Sequence, residues 1–487
     1  MRWRKILQWL LVTALLLVAA LMAFEQPRAY LRYGLPTATG IAAKLACSGV
    51  FVSERPLQSV ISQDIERLSP LVRPVHYQLD PARHSVTASL FGLAQRTAVY
   101  RPGVGCTLAN GTGLARLLQQ ASGIETPKQE PREELWPLGD RVELAALPPG
   151  IDRPALRQAV TRAFEEDTPA HEIDTRAMVV VYGGRIVAER YAPGFTAETR
   201  LLGWSASKSV LGTLVGTLVT DGRMSLAAPA AVPEWRQPGD ARAGITVGQL
   251  MQMSSGLAFA EPYHPGSDST RMLFLNGDAG SYAAAKPLLH PPGTVWQYSS
   301  GTTNLLSRLV WQQVGGSLAS YLNYARTRLL EPAAMRSFIL EPDASGVFVG
   351  SSFAYATARD WARFGLLYLN RGELNGRQIL SPAWVDYVRQ PSPADASHYF
   401  GAHFWLNLPH PAGTSHDGAA QREYPNLPAD TYLAHGFNTQ LVAIVPSRQA
   451  VIVRLGWTTG AASFDIDRHF AAILSALPQP REPELEN

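Results

Sequence analysis

The order of predicted strands and helices after residue 150 is the feature that most restricts the fold. Strand patterns occur at both ends of this region, and helical patterns occur between them. Such an order is typical of an antiparallel sheet flanked by helices, in which the first and last strands of the region meet. We therefore predict an α/β (α+β) fold. The predicted strands are residues 178–182, 185–190, 440–445 and 450–455, and the predicted helices are residues 153–166, 209–220, 357–369 and 467–477.

Two local patterns add detail to this prediction. Gly183 and Gly184 separate the first two strands and suit a tight hairpin turn. The third predicted helix carries Asp360 and Arg363, and we expect these charges, together with Arg371, on a solvent-exposed face.

Residues 1–24 have the pattern of a membrane anchor. Positive charges at Arg2, Arg4 and Lys5 precede residues 6–24, nineteen residues without a charged side chain. A helix of that length is about 28 Å long, enough to cross the hydrocarbon layer, and the positive charges place its amino end in the cytoplasm. A cleaved signal peptide is the alternative. Both interpretations predict export, either to the periplasmic side of the bacterial inner membrane or as a secreted protein.

Export gives the cysteine count a meaning. The chain has two cysteines, Cys47 and Cys106, and an oxidising compartment lets them form one disulfide. We expect this pair to close a loop of about 60 residues, worth about 4 kcal/mol. Two separate buried thiols are the alternative. Residues 45–47 also resemble a lipoprotein box, but Lys44 occupies an apolar position of that motif and no apolar run precedes it.

The sequence divides into a small N-terminal region (residues 25–125), an exposed connector rich in proline and charge (residues 126–150) and a main region (residues 151–480). With 46% apolar and 17% charged residues the composition is globular, and a net charge of +3 argues against nucleic-acid binding. The oligomeric state stays open. In the N-terminal region we predict strands at residues 49–52, 86–91 and 98–100.

A serine and a lysine stand three positions apart in residues 203–209, at the start of an apolar helix. Ser205 and Lys208 share one face of a helical turn. The helix N-terminus and burial both favour a neutral amine, and a neutral lysine beside a serine hydroxyl is a nucleophile–base pair. Of the five lysines, only Lys208 follows a serine at this spacing. A serine that only caps the helix is the alternative.

Two further segments supply groups that such a pair needs. Tyr298, in a Tyr-Ser-Ser-Gly turn before a helix, can pass a proton to a leaving group. Near the carboxyl end, His435, Gly436 and Phe437 precede a strand. Gly436 lets the backbone of a sheet edge approach a substrate, and an N–H group there can complete an oxyanion hole with the N–H of Ser205.

In this order, the segments resemble the serine β-lactamase and penicillin-binding superfamily. The likeness is greatest to its class C-type branch, which includes D-peptidases, carboxylesterases and 6-aminohexanoate-dimer hydrolases. The resemblance implies an antiparallel sheet, an all-helical subdomain and an active site between them, without a cofactor or a metal. It covers about residues 150–480, with further likeness in residues 250–257, 356–365 and 374–377.

The resemblance also implies roles and a function. Ser205 would attack a carbonyl and form an acyl-enzyme, and Lys208 and Tyr298 would relay its proton to the leaving group. Ser300 would hydrogen-bond within the site. We therefore predict an exported serine hydrolase that cleaves an amide or ester bond of a small molecule. A β-lactamase or D-peptidase is the alternative enzyme. The alternative of another functional class is a membrane-anchored binding or sensor protein, whose lactamase-like groove holds cell-wall fragments without turning them over.

Two departures from the penicillin-recognising pattern bear on the substrate. The usual Lys-Thr-Gly element is replaced by residues 434–436 or by residues 435–437, so its permanent positive charge is missing. Ser300 stands where lactamases carry asparagine. Both changes resemble the nylon-oligomer hydrolases and esterases. Those hydrolases use a mobile tyrosine on a loop, for which Tyr263 is the counterpart here, unless it is an exposed loop aromatic.

Metal binding is not predicted. His398 and His403 are five positions apart and would face opposite sides of a strand. His410 and His416 lie in a proline- and glycine-rich loop without a regular carboxylate partner. Each of these histidines is interpreted as a surface or packing residue.

Overall fold

The computed structural model describes residues 25–124, 132–145, 147–165, 172–411, 422–459 and 463–479, with isolated positions between residues 3 and 13. In this part of the chain the strands form antiparallel sheets of six, four, three and two strands. The strands are β1 (Val75–Asp80), β2 (Ser85–Leu90), β3 (Leu93–Arg101), β4 (Gly105–Leu108), β5 (Thr175–Tyr182), β6 (Arg185–Tyr191), β7 (Leu201–Leu202), β8 (Ile339–Leu340), β9 (Ala354–Ala356), β10 (Glu373–Leu374), β11 (Arg377–Gln378), β12 (Trp405–Leu406), β13 (Tyr432–Gly436), β14 (Gln440–Val445) and β15 (Ala450–Gly456).

In chain order, most of the helices lie between β6 and β12, the two edge strands of the largest sheet. The α-helices are α1 (Glu25–Phe51), α2 (Leu57–Val60), α3 (Leu114–Gln120), α4 (Arg153–Arg162), α5 (Ser207–Thr220), α6 (Val247–Met251), α7 (Asp268–Leu275), α8 (Ala279–Ala284), α9 (Ser300–Gln313), α10 (Leu318–Ala325), α11 (Ala358–Leu369), α12 (Pro382–Val388) and α13 (Ile466–Ser475). Short 3₁₀ turns cover Pro70–Val72, Trp204–Ala206, Pro233–Trp235, Ala241–Gly244 and Pro446–Arg448, and π-helical turns cover Ile61–Ile65 and Arg326–Leu330.

A six-stranded antiparallel sheet, in the order β12-β13-β14-β15-β5-β6, forms the centre of the molecule. The predicted turn at Gly183 and Gly184 joins β5 to β6, and both glycines have positive φ angles. β15 pairs with β5, with Val451 opposite Val181. The prediction that the first and last strands of the main region meet is therefore confirmed. Between β7 and β8 the described chain contains helices α5 to α10 and no strand of the sheets.

Different helices cover the two faces of this sheet, because alternate residues of a strand point to opposite sides. Val179 and Val181 of β5 belong to the larger core, which includes residues of α5 and α11. Met178 and Val180 belong to a second core with residues of α4 and α13. The larger core buries α5 on every side from Ser207 to Leu218.

The N-terminal region is built on α1, which packs against the sheet β1-β2-β3-β4 and against α7. The predicted disulfide is confirmed and joins Cys47 of α1 to Cys106 of β4. Lys44 donates to the carbonyl of Cys106 and forms an ion pair with Glu341, and both charged side chains are buried. Apolar residues of this region belong to the larger core described above.

Two local predictions in these regions are wrong. Residues 49–51 are the last turn of α1 and not a strand. A short apolar run fits a buried helix end as well as a strand, and Gly49 packs tightly there, because an added Cβ would lie 2.5 Å from Val60 Cγ1. Asp360 and Arg363 of α11 are each 2% exposed and do not lie on a solvent face.

The segment that precedes the main region explains the burial of this charged pair. The Arg363 guanidinium donates to the carbonyl of Pro137 at 2.8 Å and to Asp140 at 2.9 Å. Trp136 of the same segment is 6% exposed. Part of the predicted connector therefore packs on α11, whereas Arg371, beyond the helix, is exposed and pairs with Asp386 at 2.8 Å.

The predicted membrane anchor falls mostly outside the described residues, which omit residues 14–24 entirely. In the ranges that are described, we find no helix with both the length and the apolar character needed to cross a membrane. The N-terminal membrane helix stays a prediction.

Candidate active site

Ser205 lies on a 3₁₀ turn, Trp204–Ala206, that leads directly into α5. Trp204 has a φ angle of +46°, a left-handed conformation that is strained for a bulky residue. Packing offsets this strain, since the Trp204 ring contacts those of Phe353 and Trp457. The turn leaves Ser205 half-buried at the start of a buried helix.

Lys208 is the buried centre of the site, with 2% of its surface exposed. Its Nζ lies 3.0 Å from Ser205 Oγ, 3.0 Å from Ser300 Oγ and 3.0 Å from the carbonyl oxygen of Ser351. Burial lowers the pKa of Lys208 to about 8, although the charge of Glu261 acts in the opposite direction. The amine can therefore lose its charge near neutral pH while it contacts the serine hydroxyl.

A buried carboxylate holds the start of α9. Ser300 is the first residue of that helix, and Ser299 caps it by accepting a hydrogen bond from the N–H of Thr302. Glu261 Oε2 accepts from the Ser300 N–H at 2.7 Å, and Oε1 accepts from the Ser300 hydroxyl at 2.6 Å. Burial raises the pKa of Glu261, and the Lys208 amine opposes this rise.

Tyr298 precedes α9 and places its ring next to the lysine, with Lys208 Nζ 4.8 Å from the ring centroid. The ring stacks on Trp405 at a centroid distance of 5.3 Å. Burial and the charge of Glu261 raise the pKa of Tyr298 well above its usual value, and a hydrogen bond with Ser205 opposes the rise. The phenol therefore keeps its proton at neutral pH and can donate it.

The end of β13 reaches the turn that carries Ser205. β12 pairs only with the first two residues of β13, so no strand in the described chain covers His435 and Gly436 on that side. A Cβ added to Gly436 would lie 2.1 Å from the Gly203 carbonyl oxygen and 3.1 Å from the Ala206 nitrogen. Only glycine permits this approach. Burial lowers the pKa of His435 to about 4, so its imidazole is neutral at pH 7.

An aromatic surface lies beside the same turn. Tyr263 stacks on Phe437, with ring centroids 5.4 Å apart and an angle of 12° between the rings. Phe437 meets Trp204 edge-on at 5.7 Å and is 43% exposed. Together with the stacked Tyr298 and Trp405, these rings give the site two aromatic surfaces.

Two of the four histidines considered as metal ligands have other partners. His403 is buried, with Nε2 3.0 Å from Thr303 Oγ1 and Nδ1 2.8 Å from the carbonyl oxygen of Met251. His410 contacts a backbone carbonyl, and His416 lies outside the described residues. No group of three or more His, Cys, Asp or Glu that could hold a metal is found in the ranges that the structure describes.

The structure brings Ser205, Lys208, Tyr298 and Ser300 into one group, and the strand end and Tyr263 lie beside it. Sequence reasoning missed the role of Glu261 in this group, although Glu261 stands two positions before Tyr263 in the same loop. The carbonyl of Ser351 was also missed, because a backbone acceptor leaves no side-chain signal in a sequence.

The group combines a serine hydroxyl, a buried amine with a lowered pKa and a protonated phenol. A nucleophile, a base and an acid within contact of one another are the parts of a serine hydrolase. The sequence profile of the Beta-lactamase family matches residues 160–476, about two thirds of the chain, and the chain belongs to this family.

Individual relatives agree with this assignment. The 6-aminohexanoate-dimer hydrolase of Paenarthrobacter ureafaciens is 30% identical over 245 residues, which cover 48% of this chain and 62% of that relative. The chain therefore matches less than two thirds of that relative's length.

Two solved structures share the fold. One is from Bacillus anthracis and is provisionally assigned as a 6-aminohexanoate-dimer hydrolase; it is 24% identical, with a TM-score of 0.54 over 70% of this chain and 89% of that chain. The other is a class C β-lactamase variant that is 18% identical, with a TM-score of 0.50 over 68% of this chain and 100% of that chain.

Proposed function

We propose that the protein is an exported serine hydrolase that cleaves an amide or ester bond of a small, linear substrate through an acyl-enzyme on Ser205. The observation that carries the proposal is the contact of 3.0 Å between Ser205 Oγ and the buried Nζ of Lys208. The alternative of a serine that only caps the helix lacks such support, because Ala206 precedes α5 and no side chain caps that helix.

Acylation in this scheme moves one proton and exchanges one bond. As Ser205 Oγ bonds to the substrate carbonyl carbon, its proton passes to the neutral Lys208 amine. Collapse of the tetrahedral intermediate breaks the bond to the leaving amine or alcohol, and Tyr298 gives that group a proton, which Lys208 returns to the phenol. The acyl group then stays on Ser205 until water attacks it by the reverse pathway, which releases the carboxylic acid.

The end of β13 supports the stabilisation of the tetrahedral intermediate. Because Gly436 packs against the turn that carries Ser205, we expect the N–H of the next residue, Phe437, to reach the same oxygen as the Ser205 N–H. Two N–H donors at this place are the usual way to bind a developing oxyanion.

The surroundings of β13 favour a substrate without a carboxylate at this end. With Gly436 as the glycine of the family element, Ala434 stands where penicillin-recognising members carry lysine. The adjacent His435 is neutral at pH 7 and supplies no charge. The aromatic surfaces at Tyr263 and Phe437, and at Tyr298, suit an apolar linear chain. The likeness to a 6-aminohexanoate-dimer hydrolase agrees with an amide substrate of this kind.

We also propose that the protein works outside the cytoplasm, held at the bacterial inner membrane by residues 6–24. The disulfide between Cys47 and Cys106 supports an oxidising compartment. Cleavage by protease added to spheroplasts, but not to intact cells, would support the periplasmic side. Protection in both preparations would contradict it.

The test of the proposed activity is labelling by a fluorophosphonate probe, followed by hydrolysis of p-nitrophenyl esters, an aminohexanoate dimer, D-amino-acid amides and a chromogenic cephalosporin. We expect Ser205→Ala to lose both labelling and turnover, while Ser209→Ala, on the same helix, stays labelled. Labelling of Ser205→Ala would refute the proposal, and efficient turnover of the cephalosporin would replace the linear substrate with a β-lactam.

A further inference from the structure

We propose that Glu261 is a positioning residue that aims the lone pair of the Lys208 amine at Ser205, and that it does so through the hydroxyl of Ser300. This inference rests on the function proposed above. It concerns how the base is oriented rather than what the base does.

The hydroxyl of Ser300 has one proton, which it donates in a hydrogen bond to Glu261. An ionised carboxylate only accepts hydrogen bonds, and both of its oxygens are occupied by Ser300, one by the N–H and one by the O–H. The Ser300 oxygen can therefore meet Lys208 Nζ, 3.0 Å away, only as an acceptor. Glu261 thus fixes the direction of the hydrogen bond between Ser300 and Lys208.

A second acceptor fixes the other proton of the amine. The carbonyl oxygen of Ser351 lies 3.0 Å from Lys208 Nζ and can only accept. A neutral amine has two N–H protons and one lone pair. When the protons point to Ser300 and Ser351, the lone pair points to the remaining partner, Ser205 Oγ. The base is then ready to take the hydroxyl proton without any movement of heavy atoms.

Replacing the carboxylate by an amide reverses the direction of the hydrogen bond between Ser300 and Lys208. In Glu261→Gln one acceptor becomes an NH₂ donor. The backbone N–H of Ser300 cannot turn, so it keeps the amide oxygen, and the NH₂ group faces the Ser300 hydroxyl. The proton of that hydroxyl must then point to Lys208, where it occupies the lone pair that Ser205 needs. The variant therefore keeps the contacts but loses the orientation of the base.

The loss of the negative charge has a second effect in Glu261→Gln. It opposes the loss of orientation, because it favours the neutral form of the Lys208 amine. The titratable groups around the pair are Tyr298 and Tyr263, which face Glu261, and His403, which faces Lys208. Burial keeps both phenols protonated and lowers the pKa of His403 to about 3, so all three are neutral at pH 7. Glu261 is then the charge that raises the pKa of Lys208, and its removal should lower that pKa further.

The experiment compares kcat, KM and the pH profile of the full chain with p-nitrophenyl butyrate as the probe. For Glu261→Gln we expect kcat to fall by about 10- to 100-fold, with KM changed less than about twofold and the rise of kcat with pH shifted to lower pH. Damage to the fold would not shift the profile in that direction. Glu189→Gln is the matched control, since Glu189 accepts from Arg359 at 2.8 Å on β6, the far edge of the sheet, and its kinetics should equal those of the unchanged protein.

A double variant separates the relay from other effects of Glu261. Ser300→Ala removes the intermediate hydroxyl, so adding Glu261→Gln to Ser300→Ala should lower kcat less than about twofold further. Fully additive losses, or kcat within twofold of the unchanged protein in Glu261→Gln, would overturn the inference. If Glu261→Gln does not fold, an unchanged kcat in Ser300→Ala overturns it equally. None of these results would contradict the proposed hydrolase function, which is refuted only if Ser205→Ala stays active.

Discussion

Replacement of Lys44 by methionine should leave a buried carboxylate without its cation. Lys44 is 2% exposed and its partner Glu341 is 0% exposed. Loss of one partner of a buried ion pair costs about 3–5 kcal/mol. Glu341 keeps hydrogen bonds from the Cys106 N–H at 2.6 Å and from Ser48 Oγ at 2.9 Å, so we expect the lower end of that range, about 3 kcal/mol.

The expected change in melting temperature follows from the size of the chain. An unfolding entropy of about 2.1 cal/mol/K per residue gives about 1 kcal/mol/K for this chain, so Lys44→Met should lower Tm by about 3 °C. Lys286→Met is the matched control, because the Lys286 and Asp268 side chains are 18% and 16% exposed and their pair should contribute about 1 kcal/mol.

Circular dichroism melts of the two variants and of a double variant test this reasoning. Glu341→Gln in the Lys44→Met background keeps an acceptor for the Cys106 N–H but carries no charge, so it should recover more than half of the lost Tm. A drop in Tm for Lys44→Met no larger than that for Lys286→Met would refute the argument. So would a double variant that melts lower than Lys44→Met alone.

Three further results are expected. The proposed mechanism needs a neutral Lys208, and burial lowers the pKa of Lys208 to about 8. Therefore kcat/KM for a neutral ester should rise with pH and reach half its maximum near pH 8; a flat profile from pH 6 to 9 would contradict this. Gly436→Ala should cost about 1–3 kcal/mol and lower kcat, because its Cβ would lie 2.1 Å from the Gly203 carbonyl oxygen, and unchanged melting and turnover would exclude the close approach. Replacing both Cys47 and Cys106 by alanine should reduce the free energy of unfolding by about 4 kcal/mol, because the disulfide no longer restricts the unfolded chain. An unchanged midpoint of denaturant unfolding would contradict this stabilising role.

Local patterns predicted the parts of the molecule that depend on local chemistry. The strands around Gly183 and Gly184 follow from β-branched runs and a two-residue turn, and the pairing of Ser205 with Lys208 follows from the pitch of one helical turn. The prediction failed at residues 49–52, where a short apolar run does not distinguish a strand from the buried end of a helix.

Contacts between distant segments could not be predicted in this way. In the sequence, the charges of Asp360 and Arg363 indicate an exposed helix face. In the structure, the segment around Pro137 supplies acceptors for the Arg363 guanidinium. Glu261 reaches Ser300 only because a loop folds back over the start of α9. No periodic pattern in the sequence indicates such a contact, because it depends on how a loop packs against the folded core.

The burial of α1 has a practical consequence for anyone who wishes to produce this protein. Lys44 lies over the Phe353 ring, at 4.3 Å, and Phe353 contacts Trp204, the neighbour of Ser205. A recombinant fragment cut at the start of the matched family range would remove that support from beneath Ser205 and expose Glu341 to water. Expression should therefore start near Glu25, and substitutions in α1 deserve screening as remote modulators of turnover.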